Sequence, residues 1–257
     1  MPDLLRREDH GAIARLVLSD ASRHNALSAG MIAALRRALN AIADDETIRV
    51  VILAAEGRAF CPGHDLRELQ ALAGEASAVR RLFEECSALM QQIVALPQPV
   101  IAEVQAVATA AGCQLVASCD LAVAAERARF GVNGINIGLF CTTPMVALTR
   151  AIPPRAAFEM LVTGEFIPAE RAHELGLLNR VVPPEQLAEA TMELARTIAA
   201  KLPTAVRLGK RAFRQLQDRT LEAAYGEAAG IMCANLMDAD TAEGIKAFLE
   251  KRPPSWA

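Results

Sequence analysis

"PVIAEVQAVATAAGCQLVASCDLAVA" runs from Pro99 to Ala124, and its pattern decides the fold. "PVIAEV" is a nearly unbroken apolar run, the signature of a strand buried on both faces of a parallel sheet. The small residues Ala110, Ala111 and Gly112 follow, then a helix over "CQLVASCD", then "LAVAAE", which reads as a strand again. Parallel strands joined through a helix make a right-handed crossover. A lone amide, Gln114, sits in this largely apolar helix, where an active site would use an acid.

The pattern extends in both directions. "LLRRE" and "IARLVLSD" read as a hairpin turned at "DHG". Ser28 caps a helix over "AGMIAALRRALNAIADD", in which Ile32, Leu35, Leu39 and Ile42 recur at helical spacing. "VVILAAEG" is another buried strand, ending at Gly57. The loop "GRAFCPGHD" then leads into one helical stretch that ends near Pro97. Repeated βα alternation predicts a layered α/β core. From about Pro183 the chain reads as helix, broken at Pro203 and around "DADTAEG". Ala223, Ala224, Ala228, Ala229, Ile231 and Met232 make a late helix apolar over so much of its surface that it points to a subunit interface.

Composition excludes several classes. The chain has 257 residues, 53% of them hydrophobic, enough for a sizeable core. A formal net charge of -3 argues against a nucleic-acid partner. No apolar run is long enough to cross a bilayer. The six cysteines are scattered, with no CxxC and no neighbouring histidine pair, so neither a disulfide framework nor a zinc site is expected. Reduced thiols and a charged start, "MPDLLRREDHG", point to the cytoplasm.

Two loops carry the chemistry. In "FCPGHDLREL", Phe60 to Leu69, Asp65 and Glu68 have the spacing of a capping box, which is a purely structural reading. The functional reading is that Gly63 leaves the backbone N–H of His64 open beside a helix N-terminus, suited to an anion or a polarised carbonyl. In the second loop Ala110, Ala111 and Gly112 let a ligand approach the backbone closely. They also serve tight helix packing.

Taken together, "HNALS" at 24–28, "GRAFCPGHDL" at 57–66, "PVIAEVQAVATAAGCQLVASCDLAVA" at 99–124 and "RFGVNGINIGL" at 129–139 resemble the crotonase (enoyl-CoA hydratase/isomerase) superfamily. "AFEMLVTGEFIPAERAHELGLLNRVVP" at 157–183 and "EGIKAFLEKR" at 243–252 extend the resemblance over essentially the whole chain. It implies a spiral of ββα units over residues 1–190 and a C-terminal helical region, 191–257, that builds trimers or dimers of trimers and closes the CoA site. It implies an acyl-CoA substrate, with coenzyme A as part of that substrate and no separate cofactor or metal. The backbone N–H groups of His64 and Ala111 take the place of the family's oxyanion hole. Arg23 and Ala26 fall where the family contacts CoA. Gly63, Asp65, Leu66, Asn133, Asn136, Cys141 and Thr142 fall along the substrate's path. Phe248 and Lys251 match positions that reach the nucleotide end, often from a neighbouring subunit, although Lys251 and Arg252 equally suit dipole compensation at a helix C-terminus.

One departure affects the chemistry. The family's hydratases use two glutamates, and the matching positions here hold Gln114 and Gly134. Glutamine has no pKa near neutrality and glycine has no side chain. Each general acid or base contributes about 10²–10⁴ in rate, so efficient hydration is not expected. "GLFCTTPMVAL" replaces a Gly-rich turn, and within the superfamily this resembles a sub-branch, the third type of enoyl-CoA hydratase domain-containing protein. Cys141 lacks an activating histidine nearby and reads as a buried, inert thiol. The His64 side chain is expected to face solvent or the CoA channel. Three roles follow: an oxyanion-hole enzyme acting by decarboxylation or thioester hydrolysis, a non-catalytic acyl-CoA binder or helper subunit, and a serine hydrolase. The last fails because no serine sits beside a histidine in either loop.

Overall fold

A hairpin opens the chain: β1 (Leu5–His10) and β2 (Ile13–Leu18) pair antiparallel, turned at Gly11 with φ +62°. The computed structural model describes residues 4–256. Ser28 caps α1 (Ala29–Ala43) by accepting the Met31 N–H at 3.2 Å, and α1 buries Ile32, Leu35, Leu39 and Ile42, the residues at helical spacing.

Three ββα turns follow. The first is β3 (Val50–Ala55), β4 (Ala59–Cys61), α2 (Leu66–Ala71) and α3 (Ala76–Ala95). The second is β5 (Val100–Val104), β6 (Val107–Thr109) and α4 (Ala111–Ser118). The third is β7 (Leu121–Ala125), β8 (Arg129–Gly131), a 3₁₀ turn over Asn133–Ile137, and α5 (Thr142–Ala151). In each turn the first strand joins a six-stranded sheet and the second joins a four-stranded sheet, with orders β1-β2-β3-β5-β7-β10 and β4-β6-β8-β9. This is the α/β spiral the sequence implies. The chain continues through α6 (Pro154–Thr163), β9 (Ile167–Pro168), α7 (Ala169–Glu174) and β10 (Arg180–Val182). It ends in α8 (Leu187–Ala199), α9 (Pro203–Leu216), α10 (Leu221–Leu236) and α11 (Ala239–Leu249).

Two differences from the sequence reading concern short elements. β4 and β6 lie in stretches read as loop, because three residues are too few to display a period. The single helix expected up to Pro97 is divided at 72–75, where Gly74 takes φ +95°.

The large sheet is covered on both faces, which is why β3 and β5 read as continuous apolar runs. On one face lies the main core, with Leu35, Leu89 and Leu115 from α1, α3 and α4. On the other, Leu187 and Ala195 of α8 pack on Val50, Ile52, Ile101 and Val123. Residue 190 lies inside this helix. α9 is locked to the spiral by a buried ion cluster. Asp120, just after α4, accepts from Lys210 at 2.6 Å and Arg214 at 3.0 Å. The same Lys210 ammonium donates to the carbonyls of Ile93 and Gln98 at 3.1 and 3.0 Å, so it also caps the end of α3. α10 buries none of its side chains, and Leu221, Tyr225, Met232 and Leu236 stand exposed. Among the described residues no helix is long and apolar enough to cross a membrane.

Candidate active site

The two loops singled out in the sequence meet. Gly63 has φ +99°, and a Cβ there would stand 3.0 Å from the Ala110 methyl and 3.1 Å from the Ala111 nitrogen. Only glycine allows so close an approach in that conformation. Ala110, between β6 and α4, has φ +50° and ψ −122°, a region an L side chain seldom enters. The Gly63 carbonyl accepts from Leu27 N–H at 2.8 Å, and Ala110 N–H donates to the Gly131 carbonyl at 3.0 Å, so both loops are pinned from behind. Among the described residues, neither the His64 N–H nor the Ala111 N–H donates to a protein acceptor.

Beside these amides opens a cavity of about 930 Å³. It gathers Arg23, Ala26, His64, Asp65, Leu66, Asn133, Gly134, Asn136 and Cys141 from three separate stretches of sequence. Other residues singled out in the sequence lie elsewhere. Gly63 and the Ala111 side chain are buried behind the wall, and Thr142 does not line the cavity. Phe248 and Lys251, at the end of α11, also stand off it, with Phe248 83% exposed.

The imidazole of His64 turns inward rather than out to solvent. Its Nδ1–H donates to the Leu27 carbonyl at 3.2 Å, and its ring meets Phe83 edge-on with centroids 5.2 Å apart. Nε2 is buried without a partner, and burial pushes the imidazole pKa down, so the ring is neutral.

Both carboxylates on the cavity wall are already engaged. Asp65 caps α2 through Arg67 N–H at 2.9 Å and pairs with Arg23 at 3.5 Å. Glu68 does not close a capping box onto Asp65. It crosses to α1 and accepts the Ala29 N–H at 3.0 Å, because that helix N-terminus offers an unpaired donor.

Gln114 and Gly134, where the resemblance expects the hydratase glutamates, differ from each other. Gln114 is 4% exposed, does not line the cavity, and leaves Oε1 without a partner. Gly134 does line it, but the place a side chain would occupy is filled: a Cβ would run into the Leu139 carbonyl and stand 2.8 Å from the Cys141 sulfur. The Leu139 N–H donates to the Gly134 carbonyl at 3.0 Å, which closes that turn. Burial raises the Cys141 thiol pKa, against a weaker opposing bond from the Gly134 N–H, so the thiol stays protonated. Cys61, Cys86 and Cys113, all buried, are pushed up to about 12.

The sequence reading passed over Thr109. Its hydroxyl donates to Asn133 Oδ1 at 2.7 Å inside the cavity. The residue ends β6, a strand too short to be read, and nothing in its sequence neighbourhood signals the partner.

Comparison with known proteins agrees with this fold. Residues 8–257 match the family model described as enoyl-CoA hydratase/isomerase. "Enoyl-CoA hydratase domain-containing protein 3, mitochondrial" of Danio rerio is 45% identical, over 97% of this chain and 86% of that protein. The crystal structure of an enoyl-CoA hydratase from Mycobacterium smegmatis superposes with a TM-score of 0.96 at 49% identity, covering 98% of each chain. That of human enoyl Coenzyme A hydratase domain-containing protein 3 gives a TM-score of 0.96 at 44% identity, over 98% of this chain and 100% of that one. These relatives bear out the sub-branch resemblance. They correct the expected cytoplasmic compartment, since the vertebrate proteins are named as mitochondrial. Reduced thiols suit a mitochondrial matrix as well as a cytosol, so composition could not separate the two. With its spiral, its paired loops and these relatives in agreement, the chain belongs to the enoyl-CoA hydratase/isomerase family.

Proposed function

We propose that the protein binds acyl-CoA thioesters in this cavity and draws charge onto the thioester oxygen through the backbone N–H groups of His64 and Ala111. The observation that supports the reading is the packing of Gly63 against Ala110 and Ala111, which brings the loop of His64 against the loop of Ala111, neither amide having a protein acceptor among the described residues. Fixed donors aimed at a developing oxyanion are worth about 10²–10³ in rate each. Hydration also needs a base for water and an acid for the α-carbon. Gln114 cannot titrate, Gly134 has no room for a side chain, and Asp65 and Glu68 hold helix N-termini. Reactions that run on enolate or oxyanion stabilisation, such as decarboxylation or thioester hydrolysis, therefore suit the site better than hydration.

Arg23, at the rim, is placed for a CoA phosphate. Phe248 and Lys251, which stand off this cavity, are assigned to the nucleotide end of CoA bound by a neighbouring copy, in a trimer or pair of trimers. The exposed apolar surface of α10 supports that assembly.

The test is loss of crotonyl-CoA absorbance, with calorimetry on the same sample. The expected result is clear binding and turnover far below the usual enzyme range of about 1–10³ s⁻¹. Turnover within that range would overturn the reading of positions 114 and 134. A second reading, a non-catalytic acyl-CoA binder or helper subunit, rests on the same engaged carboxylates. It requires binding with no turnover across a panel that includes malonyl-type and branched thioesters.

A further inference from the structure

We infer that Asn133 is a specificity-determining donor whose side-chain amide takes a second, uncharged oxygen on the acyl group, so that the cavity is built for 3-oxoacyl thioesters. The inference rests on the acyl-CoA reading above.

Three observations carry it. The Thr109 hydroxyl donates to Asn133 Oδ1 at 2.7 Å, which fixes the amide with its carbonyl toward Thr109. The NH₂ end is then the end left for a ligand. Asn133 lines the cavity, and Nδ2 is neither bonded to protein nor among the buried atoms lacking a partner.

The second observation is register. β6 and β8 run parallel with Thr109 opposite Gly131, and both strands leave the sheet at the same end. Ala111 lies two residues beyond Thr109, and Asn133 two residues beyond Gly131. The Ala110 N–H donating to the Gly131 carbonyl holds the two exits together at 3.0 Å. Neighbouring strands stand about 4.8 Å apart. The Ala111 amide and the Asn133 side chain therefore issue from adjacent strand ends, as donors to the two oxygens of a 1,3-dicarbonyl unit.

The third is charge. Thr109, bonded to Asn133, Ala110 and Gly134, next to them in the chain, and Cys141, whose sulfur stands beside Gly134, are uncharged, and the Cys141 thiol is protonated. A carboxylate brought here would exchange its hydration for neutral donors alone, which is unfavourable. A ketone oxygen meets no such penalty.

The experiment is calorimetry with butyryl-CoA, acetoacetyl-CoA, malonyl-CoA and 3-hydroxybutyryl-CoA, on the wild type, Asn133→Leu and Asn133→Asp. Butyryl-CoA matches acetoacetyl-CoA in chain length and lacks only the 3-oxo group. The wild type is expected to bind acetoacetyl-CoA about tenfold more tightly than butyryl-CoA, the size of one hydrogen bond. Asn133→Leu should level the two, with circular dichroism and thermal unfolding reporting separately that the variant is folded. Asn133→Asp keeps an acceptor for Thr109 but only accepts on the ligand side. It should lose acetoacetyl-CoA and favour 3-hydroxybutyryl-CoA, whose hydroxyl can donate.

An acetoacetyl preference that survives in Asn133→Leu would overturn the inference, since the backbone amides alone would then explain it. Malonyl-CoA as the tightest wild-type ligand would overturn it too, by placing a charge beside these uncharged neighbours of Asn133. Failure of wild type to bind any of the four thioesters would remove the acyl-CoA reading and this inference with it. Binding of butyryl-CoA without an acetoacetyl preference would remove only the inference.

Discussion

At position 134 the missing side chain is enforced by its surroundings. The Leu139 carbonyl and the Cys141 sulfur occupy the direction a Cβ would take, so the absence of a side chain here is built into the backbone of the 134–141 turn. Gly134→Glu is accordingly expected to destabilise the fold by about 1–3 kcal/mol, as overpacking does, without restoring hydration. Thermal unfolding and crotonyl-CoA turnover check the two halves of that statement, and recovery of hydratase activity in this variant would refute it. The sequence shows the glycine but not what fills its place, because Leu139 and Cys141 become neighbours only through the turn. Gln114 has the same limit: its identity is legible, whereas its burial and its unpartnered Oε1 follow from how α4 lies on the core.

At the scale of elements, legibility follows length. α1 and α3 display their buried faces as helical periodicity, and β3 and β5 display burial on both faces as unbroken apolar runs. β4, β6 and β8, three residues each, carry no readable period, yet they make up three of the four strands of the second sheet and position both loops of the site. Contacts between distant elements are also invisible in sequence. Glu68 has capping-box spacing from Asp65 and nonetheless serves the N-terminus of α1. Asp120, Lys210 and Arg214 likewise gain meaning only when α9 docks. The Lys210 side chain is 7% exposed and that of Asp120 15%, so Asp120→Asn would leave a buried ammonium facing only neutral acceptors and a neighbouring guanidinium. Breaking a buried pair from one side costs about 3–5 kcal/mol. Asp120→Asn should lower the denaturant midpoint accordingly, and Asp120→Asn/Lys210→Met should recover part of the loss. Equal stability of Asp120→Asn and wild type would show that α9 is held by its apolar contacts alone.

For the whole molecule, acid should act in two stages. Burial depresses the His64 pKa, so the folded state favours the neutral ring. That contribution is complete above the ordinary imidazole value of about 6.5 and is lost as pH falls below it. Glu8 is held below the usual carboxylate range by Arg6 and Arg15, Asp45 by Thr47 and Arg7, and Glu243 by Arg252. Their contributions stand above the ordinary carboxylate range and disappear as pH falls through it. The melting temperature should therefore be level from about pH 7 to about pH 8, drop modestly through the imidazole range, and drop again at carboxylate pH. His64→Asn, which can keep the bond to the Leu27 carbonyl, should erase the first drop and leave the second. A first drop that persists in that variant would assign it to another group. The left-handed backbone of Ala110 has a consequence of its own. A residue held in such a conformation stores about 1–3 kcal/mol, which a local opening would release. The junction of β6 and α4 is then poised between two fates, fraying in the free protein or clamping on a ligand that accepts the Ala111 N–H. Amide hydrogen exchange at 110–112 should consequently be fast for so buried a segment, and should slow more on ligand binding than anywhere else in the spiral.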